Sequence, residues 1–342
     1  MLMNLIGRNR EIEELDRCLK SDQSEFVVIY GRRRVGKTYL VRETFDSNFT
    51  FYHTGISGST LTEQLEQFQA SLIKFGLKKC NKLKSWFEAF HKLEELIEQR
   101  KDERKVIFID ELPWLDTPKS RFISALEHFW NGWASAQKKL ILVICGSATS
   151  WIISNIIRNH GGLYNRLTGS IYLQPFNLGE CEEFCKAKHM ALSHRNIAEA
   201  YMIFGGIPYY WNFLQNNQSL SQNIDKMFFA PSAPLKDEFR ALYQSLFKKP
   251  EPYLKIISIL SSTRSGMDRS ELLEKSNLSN NSTFSTVLTD LEQCGFIRKF
   301  RAFGKKNRDA QFQLVDNFTL FHFQFVKDSP ETDDYWTSLN KS

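Results

Sequence analysis

FVVIYGRRRVGKTYLVRETF, residues 26–45, decides the fold. Its first six residues form an apolar, β-branched run that closes on a glycine, the composition of a buried strand. The closing stretch TYLVRETF (38–45) reads as a helix. Between them GRRRVGKT (31–38) matches G-x-x-x-x-G-K-[ST]. Gly31 and Gly36 let the backbone wrap closely, so that successive N–H groups point into one concavity suited to phosphate oxygens. Lys37 is then expected at the β- and γ-phosphates, and the Thr38 hydroxyl on Mg²⁺. The ligand this pattern predicts is ATP, or a closely related nucleoside triphosphate, with Mg²⁺. Its contact set runs through Gly31, Arg32, Arg33, Arg34, Val35, Gly36, Lys37, Thr38 and Tyr39. The three arginines leave two readings open: they add to the positive field around the phosphates, or they form a solvated loop tip.

Working outward, the first half alternates short β-rich runs with helical stretches, the signature of a parallel sheet covered by helices. FYHTG (51–55) is a short second strand, and VIFIDE (106–111) and LILVICGS (140–147) are near-continuous apolar runs of the kind buried on both faces. GSIYLQPF (169–176) supplies a fifth strand. SWFEAFHKLEELIEQR (85–100) has helical spacing, with Phe87, Phe90, Leu93, Leu96 and Ile97 on one face.

The strand tips carry the remaining chemistry. Asp110 ends an apolar strand, where open α/β sheets bind ligands, and suits Mg²⁺ coordination. Glu111 suits orientation or deprotonation of an attacking water; capping the turn at Leu112-Pro113 is the alternative. Ser147 either hydrogen-bonds the γ-phosphate or lytic water, or caps the helix that starts near Ser150. Arg166 precedes the fifth strand, placed for a finger on the γ-phosphate in its own subunit or a neighbour's, or for a plain surface position.

Composition bounds the rest. The 342 residues suffice for two or three domains, and 42% apolar with 25% charged residues is ordinary globular composition. No apolar run approaches membrane-spanning length, and Glu11, Glu13, Glu14 and Asp16 replace the order of a secretion signal, so a cytoplasmic location is expected. The six scattered cysteines form no disulfide framework. Cys181, Cys185 and His189 repeat at helical spacing, but no fourth ligand is evident, and two buried thiols are the plainer reading. A net charge of +6 permits an anionic partner without demanding one.

After Pro175 the strands stop. Residues 177–247 read as helices, broken at Gly205-Gly206, Pro208, Pro231 and Pro234, and KKPEP (248–252) reads as a linker. From Tyr253 the order helix, turn, helix, turn, helix, Gly295 and two β-rich runs is the layout of a winged helix-turn-helix. The expected division is therefore an α/β P-loop domain (1–176), a helical lid (177–247), a winged helix (251–327) and a tail (328–342). The third helix of the winged region, from about Asn280 to Cys294, has no Lys or Arg; the cations Arg298, Lys299, Arg301, Lys305, Lys306 and Arg308 lie in the wing. DNA contact through that wing and docking against protein both stay open.

Taken together, LIGRNREIEEL (5–15), YGRRRVGKTYL (30–40), VIFIDELPWLD (106–116), LILVICGSATSWI (140–152), GGLYNRLTGSIYLQPF (161–176) and FGGIPYYW (204–211) resemble the STAND-like, AAA+-related P-loop ATPases called archaeal-type ATPases, and are nearest to members from Bacteroides-like bacteria. The resemblance implies that Gly7, Arg8 and Glu11 belong to a box packing near the adenine, that Gly206 and Pro208 belong to a lid element whose proline approaches the base, and that Arg166 and Ser147 act as finger and sensor. Such proteins commonly continue into a restriction-endonuclease-like domain. Nothing up to Ser342 matches it, so nuclease activity is not carried over, and a truncated or naturally shortened chain is expected. The function expected is a Mg²⁺-dependent ATPase switch coupled to a winged helix, or a nucleotide-gated DNA- or protein-binding regulator with little turnover; homo-oligomerisation is open.

Overall fold

The computed structural model describes residues 5–159, 161–301 and 310–339. The chain divides into two compact units, Met1–Gly31 with Gly36–Leu173, and Arg32–Val35 with Gln174–Ser342.

In the first unit the order is α1 (Asn9–Lys20), β1 (Glu25–Tyr30), α2 (Lys37–Thr44), β2 (Phe51–Thr54), α3 (Leu61–Lys74), α4 (Trp86–Gln99), β3 (Lys105–Asp110), α5 (Phe122–Gly132), β4 (Leu140–Gly146), α6 (Thr149–Ile152) and β5 (Gly169–Tyr172). The strands form one sheet in the order β2-β3-β4-β1-β5. Every pairing is parallel. Phe26, Val27, Val28 and Ile29 of β1 are fully buried, as is every residue of β4, which is why these strands read as unbroken apolar runs rather than alternating ones. Register places Tyr30 beside Gly146 and Ile109 beside Ile144, so β1, β3 and β4 deliver their carboxyl ends to one edge.

Aromatic packing supplies much of this unit's core. Phe26 lies 4.7 Å from Trp130, and Trp86 meets Phe122 edge-on at 4.9 Å. The expected face of α4 is buried at Phe90, Leu93, Leu96 and Ile97; Trp86 adds a fully buried ring to it, while Phe87 is partly exposed and packs at the core's margin. Ser85 accepts a hydrogen bond from the Glu88 N–H and fixes where that helix begins. Among the described residues no helix is long and apolar enough to cross a membrane.

The second unit runs α7 (Leu178–Ala187), α8 (His194–Phe204), α9 (Pro208–Trp211), α10 (Leu220–Ile224), α11 (Glu238–Leu246), α12 (Glu251–Ser261), β6 (Met267–Asp268), α13 (Arg269–Ser276), α14 (Ser282–Gln293), β7 (Ile297–Phe300), β8 (Gln311–Leu314), α15 (Asn317–Phe321) and α16 (Tyr335–Leu339). Side-chain caps set several helix starts. Asn177 and Glu180 form a reciprocal box at α7, and Asp268 and Glu271 form one at α13. The small sheet has three antiparallel strands in the order β6-β8-β7, one more than the sequence suggests: Met267–Asp268, expected as a turn and helix start, pairs with Phe312 and Gln311. Phe284, Val287, Leu288 and Leu291 point α14 into the core, leaving Ser282, Thr283, Ser285 and Thr286 exposed.

The stretch expected only as a tail contains α16. Asp225, 1% exposed, accepts hydrogen bonds from the N–H groups of Trp336 (2.6 Å) and Thr337 (3.0 Å), and the Trp336 ring packs against Phe229, Phe321 and Phe325. A buried carboxylate that receives backbone donors in this way is compensated for its lost hydration.

Candidate nucleotide-binding site

The loop after β1 turns on two glycines, each required for a different reason. Gly31 has φ 144°, and a Cβ there would stand 2.2 Å from the carbonyl oxygen of Leu173. Gly36 has φ 95° with open space around it, so conformation alone excludes a side chain. α2 starts at once after Gly36 with no side-chain cap, so the first-turn N–H groups and the helix dipole are not used up by a capping residue.

Lys37, the first residue of α2, is 5% exposed. Its ammonium donates to the carbonyl oxygen of Gly31 at 2.9 Å and to Ser147 Oγ at 3.1 Å. Thr38 donates its hydroxyl to Asp110 Oδ2 at 2.7 Å. The other Asp110 oxygen accepts the Glu111 N–H at 2.9 Å. Asp110 is 4% exposed, and that burial pushes its carboxyl above the usual range, with the Thr38 hydrogen bond pulling against it. A carboxylate paired to a helix-start hydroxyl in this way gives the hard oxygen donors that Mg²⁺ takes one or two at a time, the rest coming from phosphate and water. The residues therefore fit the metal that the loop implies.

Glu111 stands in the left-handed region, at φ 47° and ψ 45°. That conformation costs a non-glycine residue about 1–3 kcal/mol and turns its side chain toward β4. There Oε1 accepts the Ser147 hydroxyl at 2.8 Å and Oε2 the Ser147 N–H at 3.3 Å. Glu111 makes no side-chain cap on the turn at Leu112–Trp114, and the residue before α6 is Ala148, also without a side-chain cap. Both capping alternatives are thus replaced by one network, Lys37–Ser147–Glu111.

The arginines need a correction. Arg32 is not at a solvated tip: it is 6% exposed, and its guanidinium donates to Asp316 Oδ1 at 2.5 Å. Arg34 pairs with Glu238 and lies over the Tyr209 ring, 4.0 Å from its centre. Arg33 is half-buried, Val35 is buried and Tyr39 is exposed.

The remaining expected residues are placed as follows. Gly7 (φ 63°) and Arg8 (φ 64°) form the left-handed turn into α1, and Arg8 is buried. Gly206 lies so near Phe176 that a Cβ would meet its carbonyl oxygen at 1.8 Å, and Pro208 opens α9. Arg166 sits in an exposed turn before β5. α7 ends at Ala187, so His189, at φ 55°, is off the helix that holds the buried Cys181 and Cys185, and no metal-binding cluster of His, Cys, Asp and Glu occurs among the described residues. Of the wing cations, Arg298, Lys299 and Arg301 are exposed, while Lys305, Lys306 and Arg308 lie outside the described residues.

Three residues escaped the sequence reading. Asp316 and Glu238 carry no motif, and only the fold brings them to Arg32 and Arg34. Arg269, from α13, donates to Asn280 Oδ1 and Ser285 Oγ, each at 3.1 Å, and so puts a cation on the polar face of α14.

A parallel sheet with a glycine-bounded loop after its first strand, a lysine and threonine opening the next helix, and an acid at a neighbouring strand tip define a P-loop ATPase fold. Residues 5–213 match the ATPase domain found predominantly in Archaea, and the chain belongs to that family. An uncharacterized protein of Methanocaldococcus jannaschii is 25% identical over 338 residues, covering 94% of this chain and 68% of its own length. Among solved structures, the Walker-type ATPase of Pyrococcus abyssi aligns over 94% of this chain and 96% of its own, with TM-score 0.62 and 16% identity. The ORC2 protein of Aeropyrum pernix, solved as ADPNP and ADP complexes, aligns over 99% and 96%, with TM-score 0.53 and 12% identity.

Proposed function

We propose that the chain binds ATP with Mg²⁺ at 31–38 and hydrolyses it, and that the nucleotide cycle switches the second unit between two states. The observation that carries the reading is the pair of networks at one sheet edge, Lys37–Ser147–Glu111 and Thr38–Asp110. In this reading Lys37 neutralises the β- and γ-phosphates, and Thr38 and Asp110 hold the metal. When bound there, Mg²⁺ would supply Lewis-acid neutralisation of phosphate charge. Glu111 takes the proton of the water whose oxygen attacks the γ-phosphorus, as the bond to the β–γ bridging oxygen breaks. Ser147 aims Glu111 and reports on the γ-phosphate. Arg166, exposed ahead of β5, serves as the finger, in its own subunit or a neighbour's. Steady-state ATPase assays of wild type, Lys37→Ala and Glu111→Gln test the assignment, with turnover expected to fall about 10²–10⁴-fold in Glu111→Gln. Equal turnover in all three overturns it. Sizing the protein with and without ATP·Mg²⁺ tests whether Arg166 works across subunits.

A second reading rests on a separate observation. Residues 177–247 are read as a lid and 251–327 as a winged helix, whose α14 presents Ser282, Thr283, Ser285 and Thr286 beside Arg269. With Arg298 and Lys299 exposed on β7, this face suits a polyanion, and the chain then acts as a nucleotide-gated DNA-binding regulator. Salt-dependent duplex binding that weakens in Arg269→Ala and Arg298→Ala supports it; salt-independent binding, or none, removes it.

A further inference from the structure

The interior of the phosphate loop is held by carboxylates from far along the chain. Arg32 and Asp316 are separated by 284 positions, and both are nearly buried, at 6% and 5% exposure. The guanidinium of Arg32 also lies over the Phe296 ring, 4.5 Å from its centre. Asp316 is itself held, because its Oδ2 accepts from the N–H of Thr319 at 3.0 Å and from the Thr319 hydroxyl. Two residues on, Arg34 meets Glu238, whose other oxygen accepts the Tyr210 hydroxyl at 3.0 Å. Burial pushes the Glu238 carboxyl up, and Arg34 works against that rise. A buried arginine paired to a carboxylate that is fixed in turn has little freedom, since separating them leaves an unpaired charge out of water.

The loop residues so fixed, Arg32–Val35, belong to the second unit, while Gly31 and Gly36 on either side belong to the first. Their own N–H groups are the ones a phosphate loop aims at its ligand. Neither arginine side chain has to reach the phosphates for those N–H groups to face them.

Resting on the ATP-binding reading above, we propose that Asp316 and Glu238 are positioning residues for the nucleotide: through Arg32 and Arg34 they set the loop backbone, and hence the affinity for ATP. Nucleotide affinity then depends on α11 and on the start of α15, elements that carry no nucleotide motif.

The test uses the full chain, a fluorescent ATP analogue with Mg²⁺, and thermal melting of each variant. Asp316→Asn and Glu238→Gln are expected to weaken analogue binding by about tenfold or more. The double variant Arg32→Gln with Asp316→Asn, a neutral pair that can still hydrogen-bond, is expected to bind better than Asp316→Asn alone. Without nucleotide, trypsin is expected to cut after Arg32 and Arg34 faster in the single variants than in wild type. Should Asp316→Asn fail to fold, Glu238→Gln decides by itself, being on a different helix. Affinities within twofold of wild type beside a lowered melting temperature overturn the proposal, because the pairs then serve folding only. A wild type that binds no analogue sinks the ATP-binding reading and this inference with it. A wild type that binds, with variants that bind equally, sinks this inference alone.

Discussion

At the carboxyl edge of the five-stranded sheet, Lys37, Asp110 and Glu111 are held in one small network: Lys37 on Gly31 and Ser147, Asp110 on Thr38, Glu111 on Ser147. The polar face of α14 in the second unit is built differently. Its serines and threonines are exposed, and Arg269, from the preceding helix, donates to Ser285 there. On the functions proposed above, the contrast separates two kinds of site. Chemistry on a phosphate needs particular atoms held at fixed distances, which burial and mutual hydrogen bonding provide. A surface that meets a polyanion needs positive charge within reach and tolerates looser geometry. Changes at the first should therefore act steeply and through one residue at a time, and changes at the second shallowly and additively.

After Glu111, the steepest expected effect is at Thr38. Thr38→Val removes both the hydroxyl proposed for the metal and the donor to Asp110, and turnover measured at saturating ATP·Mg²⁺ should fall by about 10²–10³-fold. A drop of less than fivefold would remove Thr38 from the metal site. Next comes the pair of loop glycines. Gly31→Ala drives a methyl into the Leu173 carbonyl and should cost about 2–4 kcal/mol in chemical denaturation, whereas Gly36→Ala meets no atom and should cost about 1–2 kcal/mol from backbone strain. Equal losses would show that the close approach at Gly31 is not what demands glycine.

Asp110 offers a smaller effect with a definite sign. Burial raises its folded-state carboxyl above the unfolded value near 3.9, so ionisation favours the unfolded chain. The stability tied to this group is complete below the unfolded pKa and is lost as pH rises through the folded one. Asp110→Asn should therefore melt a few degrees higher, roughly 2–4 °C, at pH 7, with the advantage vanishing below about pH 4, while activity is lost. An Asn variant that melts lower at pH 7 would break the argument. Smallest is the change on α14: Arg269→Ala should reduce the slope of log affinity against log salt for duplex DNA by about one. An unchanged slope would assign that face to a protein partner or to none.

Much of the first unit was legible because its constraints are local. A strand buried on both faces must be apolar throughout, and a phosphate loop needs Gly31, Gly36, Lys37 and Thr38 at set spacing. Strands β1, β3 and β4 follow from the first fact and the loop from the second, whereas β2 and β5, at the sheet's edges, bury only alternate residues. What could not be read depends on contacts far apart in sequence. Arg32 and Arg34 look like a basic loop tip until the fold supplies Asp316 and Glu238. Glu111 looks like either a base or a cap, and its left-handed backbone, which turns it to Ser147, leaves no signature in the residue type. The helices of the second unit were visible from Gly and Pro breaks, but β6, two residues long, is too short to carry a period.

The order β2-β3-β4-β1-β5 also has a consequence for biosynthesis. The strand that carries the phosphate loop has no sheet partner until β4 and β5 arrive, since Glu25 pairs with Ile141 and Val27 with Gly169. At a synthesis rate of about 5–20 residues per second, FVVIY therefore spends roughly ten seconds without its neighbours on the growing chain. During that interval it is an apolar, β-branched segment with both edges open, the kind of stretch that chaperones shield. The most functionally demanding loop of the molecule is thus also among the last parts of its sheet to be locked in place.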